Sequence, residues 1–153
     1  MTTWADYASA VQEILPFLSR RLRIFDEDLV HPGLENPDLA AKLGRFLGAN
    51  RFTSCDIVLR NPLAARDRSP RLMALLGTYS DRLRIFECAP RLLSLHDNFI
   101  LVDDAHALIR IHKDHARSRF ILDDRRECTP YIERFDDLLE ECETRIYPTT
   151  LGL

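Results

Sequence analysis

Residues 96–104 read HDNFILVDD, and residues 105–112 continue AHALIRIH. Together they predict a hairpin: a strand over NFILV (98–102), a tight turn at Asp103-Asp104, and an antiparallel return over HALIRIH (106–112). Residues two apart in a strand share a face. His96 and Asn98 therefore project together at the strand's entrance, Phe99 and Leu101 occupy the other face, and Asp103 lies at the far end. Two chemistries fit these residue types. A histidine with a nearby carboxylate suits proton transfer or nucleophilic attack. A buried strand with polar ends also suits them, with His96 hydrogen-bonded as structure and the aspartates satisfying turn amides.

Upstream of the hairpin, strands and helices alternate. RLRIFD (21–26), CDIVLR (55–60) and RLRIFE (82–87) read as strands, the middle one with the continuous apolar run of a buried parallel strand. Between them, Pro37-Asp38 opens a helix through Leu39, Leu43, Phe46 and Leu47. Asn61-Pro62 breaks the second strand, and a polar Arg-rich loop leads to Ser69-Pro70, which starts a helix through Leu72, Leu75, Leu76 and Tyr79. Trp4, Tyr7, Ala8, Val11, Ile14, Leu15 and Leu18 recur at helical spacing, with Pro16 stopping or kinking that helix. Downstream, SRFILDD (118–124) adds a strand. Thr129-Pro130 starts a last helix, and the tail YPTTLGL has no regular pattern. The fold class is α/β: a mixed, mainly parallel sheet with helices on both faces. It forms a single domain over 1–153, with a helical extension at 1–19 and a C-terminal helix and tail at 125–153. The two RLRIF segments reflect similar burial rather than duplication.

Composition narrows the function classes. The 153 residues are 46% hydrophobic and 29% charged with a net charge of −3, so bulk charge does not make the chain a polyanion binder. Only Lys42 and Lys113 among the 21 basic residues are lysines. Asp6 and Glu13 interrupt an N-terminus without a basic leader region, and no apolar run reaches membrane-spanning length. Four scattered cysteines without a CxxC pair predict reduced thiols in a cytoplasmic protein and no metal site. Five glycines leave no phosphate-cradling loop, and no cofactor is expected.

The spacing of His96, Asn98 and Asp103, H-x-N-x-x-x-x-D, resembles the phospholipase D motif H-x-K-x-x-x-x-D with Asn98 in the lysine's position. The order β-α-β-α-β before it, and the antiparallel strand after a short turn, agree with that superfamily over roughly 20–125. The resemblance implies a phospholipase D-like half, since one-motif members pair as homodimers. It also implies His96 as candidate nucleophile, with Asp103 as the third motif residue. The lysine's fixed charge beside the phosphate oxygens is missing, and Asn98 donates hydrogen bonds without charge. The loss of one such donor amounts to about 3 kcal/mol, roughly a hundredfold in rate. Where active members carry G-S-x-N, this chain has Arg110-Ile111-His112-Lys113. More narrowly, the chain resembles an uncharacterised bacterial phospholipase D-like family, sometimes fused behind a GNAT-type acetyltransferase and ending in a tail like TLGL (150–153).

Two basic segments complete the candidates. RNPLAARDRSPR (60–71) places Arg66, Arg68 and Arg71 near a helix start, where free amides and the helix dipole favour anions. RIHKDHARSRFILDDRR (110–126) carries Arg110 and Lys113, which with Asn98 form the expected ligand-binding set of the old cleft. Either segment also reads as a solvated surface. The acidic last helix would repel nucleic acid. The primary expectation is a non-catalytic phospholipase D-like binding or regulatory module for a phosphate-bearing ligand or a protein partner. The alternatives are a weak metal-independent phosphodiesterase or nuclease using His96, and a structural partner domain of an acetyltransferase.

Overall fold

The apolar runs picked out above become the strands of one sheet in the computed structural model, which describes residues 2–148. The strands are β1 (Arg21–Asp26), β2 (Ser54–Leu59), β3 (Leu83–Glu87), β4 (Asn98–Val102), β5 (His106–Arg110), β6 (Ser118–Ile121) and β7 (Thr144–Ile146). Their order is β6-β5-β4-β1-β2-β3-β7. Only β1–β2 and β2–β3 pair in parallel; the other four pairings are antiparallel. The sheet is mixed as expected, but the antiparallel share is the larger. The hairpin strands join through β4 on the free edge of β1, and β7 closes the edge of β3.

Helices cover both faces, and the period of two along each strand decides which residues meet them. Leu22, Ile24, Ile57, Ile85, Ile100 and Leu108 lie in one core with residues of α1 (Trp4–Ile14), α2 (Pro37–Ala49) and α4 (Pro70–Thr78). Phe25, Val58, Phe99, Leu101, Ala107 and Ile109 lie in the other, against Phe135 and Leu138 of α5 (Arg125–Glu140). The first helix belongs to the core, with Tyr7, Ala10, Val11 and Ile14 buried. Pro16 sits in the 3-10 turn Leu15–Phe17 that ends it. Gly44 and Gly48 bring α2 and α4 together: a Cβ on Gly48 would stand 2.8 Å from the Tyr79 hydroxyl.

Three local expectations are corrected. Residues 62–68 form α3 (Pro62–Arg68) instead of a loop, because Asn61 accepts the Ala64 amide as N-cap and Pro62 suits the first turn. The last helix starts at Arg125, capped by Asp124, which leaves Pro130 inside it. Thr144–Ile146, counted with the C-terminal helix and tail, is a strand that pairs with β3. The TLGL segment lies outside the described residues. No described helix is long and apolar enough to cross a membrane.

Candidate functional site

The strand registers bring four polar side chains to one end of the sheet. Phe25 pairs with Phe99, so the next residue, Asp26, lies beside Asn98; Asn98 itself pairs with Arg110. Arg60 follows β2 and its amide bonds to the Asp26 carbonyl. All four are buried, with Asp26, Asn98 and Arg110 each 1% exposed and Arg60 7%. Buried charge is tolerated only when paired and hydrogen-bonded, and here the partners are internal. Arg110 donates to Asp26 Oδ1 at 2.9 Å and to the Lys113 carbonyl at 2.6 Å. Its guanidinium also lies 5.2 Å from the Trp4 ring and 5.1 Å from the Tyr7 ring. Burial raises the Asp26 carboxyl above its ordinary pKa, and the Arg110 charge, the Leu29 amide and Arg60 oppose that rise.

Asn98 belongs to this network. Its Oδ1 accepts from Arg60 Nη2, and its Nδ2 donates to the His96 carbonyl at 3.0 Å. Arg60 also donates to Glu27 Oε2 at 2.8 Å and to the Asp97 carbonyl at 2.9 Å, with its Cζ 4.6 Å from the Phe25 ring centre. Lys113 pairs with the other Glu27 oxygen at 3.5 Å. The basic side chains beside Asn98 are thus already engaged by Asp26, Glu27 and backbone carbonyls.

His96 lies outside β4, so the pleat does not direct it. Its exposed ring stacks on His112 with centres 4.8 Å apart and planes 15° apart, and His112 meets His115 at 4.9 Å. His112 Nδ1 accepts the Asp114 amide, which leaves Nε2 to donate in the neutral ring. A hollow of about 470 Å³ beside the trio is lined by Thr2, Ile111, His112, His115, Ala116 and Arg117.

Asp103 stands five residues beyond Asn98, roughly 16 Å along an extended strand. It clamps the entry to β1, accepting from the Ser19 hydroxyl at 2.7 Å and from the Ser19, Arg20 and Arg21 amides. Burial alone would raise its pKa, but the Arg21 amide, the Ser19 hydroxyl and the other donors hold it below the ordinary value.

The 66–71 arginines are mostly engaged. Arg68 pairs with Asp28 at 3.1 Å and Arg71 with Glu35 at 3.4 Å. The Glu35 carboxylate also accepts the Arg71 and Leu72 amides, so an internal anion already caps α4. Arg66 is half-buried on α3. Among the described residues no three His, Cys, Asp or Glu side chains converge as metal ligands would. Burial pushes the Cys128 thiol up to about 11 and the Cys142 thiol up to about 12, so neither is a ready nucleophile.

Sequence reasoning missed Asp26, Glu27, Arg60, His112 and His115 as neighbours of the motif. One signal was available. Asp26 continues the inward phase of Leu22 and Ile24, and Arg110 that of Leu108, so each charge ends an inward-facing row.

The whole arrangement is that of a phospholipase D-like fold. Nuc from Salmonella typhimurium, a phospholipase D family member, matches with a TM-score of 0.59 at 12% identity, over 91% of this chain and 90% of that one. TrmBL2, an archaeal chromatin protein whose structure shows a novel mode of DNA binding, matches with a TM-score of 0.68 at 14% identity. That match covers 94% of this chain and 52% of the other, so the chain spans about half the length of the chromatin protein. No curated protein matches the sequence. A family model described as a domain of unknown function (DUF7931) matches residues 3–146, and the chain belongs to that family.

Proposed function

We propose that this DUF7931 member is a non-catalytic phospholipase D-like binding module that takes a phosphate-bearing ligand at the mouth of the old cleft, beside His96, His112, His115 and Arg117. The observation that carries the reading is Asn98. At the lysine's place stands a buried neutral side chain hydrogen-bonded to Arg60, and the nearby charges are neutralised from within. Phosphoryl transfer needs a fixed positive charge beside the non-bridging oxygens, and no such charge is free there.

The histidines themselves favour binding over turnover. In-line displacement places the attacking and leaving atoms on opposite sides of phosphorus. Rings stacked at 4.8 Å lie side by side, suited to two contacts on one anion. Nucleic acid is the phosphate source that the likeness to the DNA-binding chromatin protein suggests. Homodimerisation through the His96 edge belongs to the same proposal; a monomer in light scattering at high micromolar concentration would remove it.

The test is hydrolysis of bis(p-nitrophenyl) phosphate with EDTA present, by wild type, His96→Ala and Asn98→Lys. Wild type is expected to be silent. Asn98→Lys is expected to gain nothing, because its ammonium would meet the Arg60 guanidinium instead of an open pocket. Turnover that His96→Ala abolishes would make the protein an enzyme.

A further inference from the structure

A second polar group lies at the opposite end of the sheet, where the motif histidine plays no part. Register pairs Arg23 of β1 with Asp56 of β2, and Asp56 with Arg84 of β3. The two RLRIF segments thus set their second arginines on either side of one buried carboxylate. Asp56 is fully used: Arg84 grips it at 2.8 and 3.0 Å, and Arg21 reaches it at 3.3 Å.

Arg23 is left under-compensated. Its side chain is 5% exposed, it donates to the Asp103 carbonyl at 2.9 Å, and its one ion pair among the described residues, with Asp104, is 3.5 Å long. Its Nε is buried without a partner. Burial and the neighbouring Arg21 charge lower its pKa, and the Asp104 and Asp136 carboxylates oppose that shift.

This guanidinium lines a hollow of about 290 Å³ together with Arg20, Arg21, Phe52, Ser54, Asp103 and Asp104, just below the usual range for ligand sites. Asp104 pairs with Arg20 at 3.4 Å as well as with Arg23, Asp56 takes Arg21, and Asp103 already accepts the Ser19 hydroxyl and three amides. Phe52 is 77% exposed, the most exposed large apolar side chain among the described residues, and the Arg51 guanidinium lies 5.0 Å from its ring centre. Guanidinium groups that match phosphate oxygens, beside an aromatic ring left in water, are the two halves of nucleotide recognition.

We propose that this hollow is a nucleotide site, with the phosphate among Arg20, Arg21 and Arg23 and the base stacked on Phe52. The nucleotide is either free or a unit of a single strand. The site lies at the other end of the sheet from His96 and stands whether or not the old cleft binds anything.

The test is titration at low salt, followed by amide NMR shifts, with 5′-AMP, ribose 5-phosphate and hexathymidylate as probes. AMP is expected to shift the amides of 20–23 and 52–54 and to bind roughly tenfold or more tightly than ribose 5-phosphate, through base stacking. Phe52→Ala should remove that advantage without changing the melting temperature. The Arg20→Gln/Arg21→Gln pair should weaken both phosphates as read at these amides, and His96→Ala should leave the 20–23 and 52–54 shifts unchanged. Tighter binding of hexathymidylate than of AMP would assign the site to single strands, and the reverse to free nucleotides. Equal binding of AMP and ribose 5-phosphate, no binding at millimolar probe, or a loss caused by His96→Ala and not by Phe52→Ala would each overturn the proposal.

Discussion

Asn98 and Asp103 show how much a single side chain's surroundings decide. A lysine at 98 would place a second cation against Arg60, across the β4–β5 pairing from Arg110, with 1% exposure to relieve it. Asn98→Lys is therefore expected to lose about 3 kcal/mol or more of stability, read as a fall in the urea midpoint. Asp103 makes the opposite case, a carboxylate surrounded by donors. Asp103→Ala removes the acceptor for four of them and should lose about 2 kcal/mol near neutrality. Its folded pKa lies below 3.8, so this contribution is present above that value and fades as pH falls through the folded one. Wild type and variant should draw together in urea titrations as the pH is taken down through the folded pKa. A gap that stays constant throughout would show the carboxylate's charge to be irrelevant.

Among the elements, α3 and α5 depart most from their sequence signals. Asn61-Pro62 reads equally as a strand breaker and as an N-cap with a first-turn proline, and in the structure it acts as the cap. In α5 the Asp124 cap starts the helix five residues before Pro130, which therefore interrupts the backbone ladder instead of opening it. Packing of Cys128, Phe135 and Leu138 on the sheet holds the helix through that missing rung. Pro130→Ala restores the rung and is expected to stabilise the protein by about 1–2 kcal/mol, net of the freedom it returns to the unfolded chain. A thermal midpoint that falls instead would mean that the proline's rigidity outweighs the rung. The Glu35 carboxylate on α4 shows the same limit of local reading: the amides at the head of that helix are taken by the chain's own side chain.

For the molecule as a whole, the Asp26–Arg110 pair joins β1, β5 and α1, because the same guanidinium lies between Trp4 and Tyr7. Removing one partner leaves a buried charge alone, so Arg110→Met should lose about 3–5 kcal/mol. The double variant Asp26→Leu/Arg110→Met should recover most of that loss, and a double-mutant cycle in urea measures it. Additive losses would show that the two charges are not coupled. The sheet also separates two polar sites by its own length, the histidine trio at one end and the Arg23 hollow at the other. Ligands at the two should therefore bind independently.

Strand positions, the hairpin at 96–112 and the helices opened by Pro37 and Pro70 follow from the sequence by itself, because periodicity, turn residues and caps act within a few residues of one another. The share of antiparallel pairing, the strand at 144–146 and the fate of each charge were decided only by the tertiary structure. Register places Arg60 against Asn98, Arg110 against Asp26 and Glu35 at the head of α4. A side chain's partner across the sheet lies tens of residues away in the chain, and burial, which local pattern does not assign to an arginine, turns each of those pairs from a solvated charge into a closed contact.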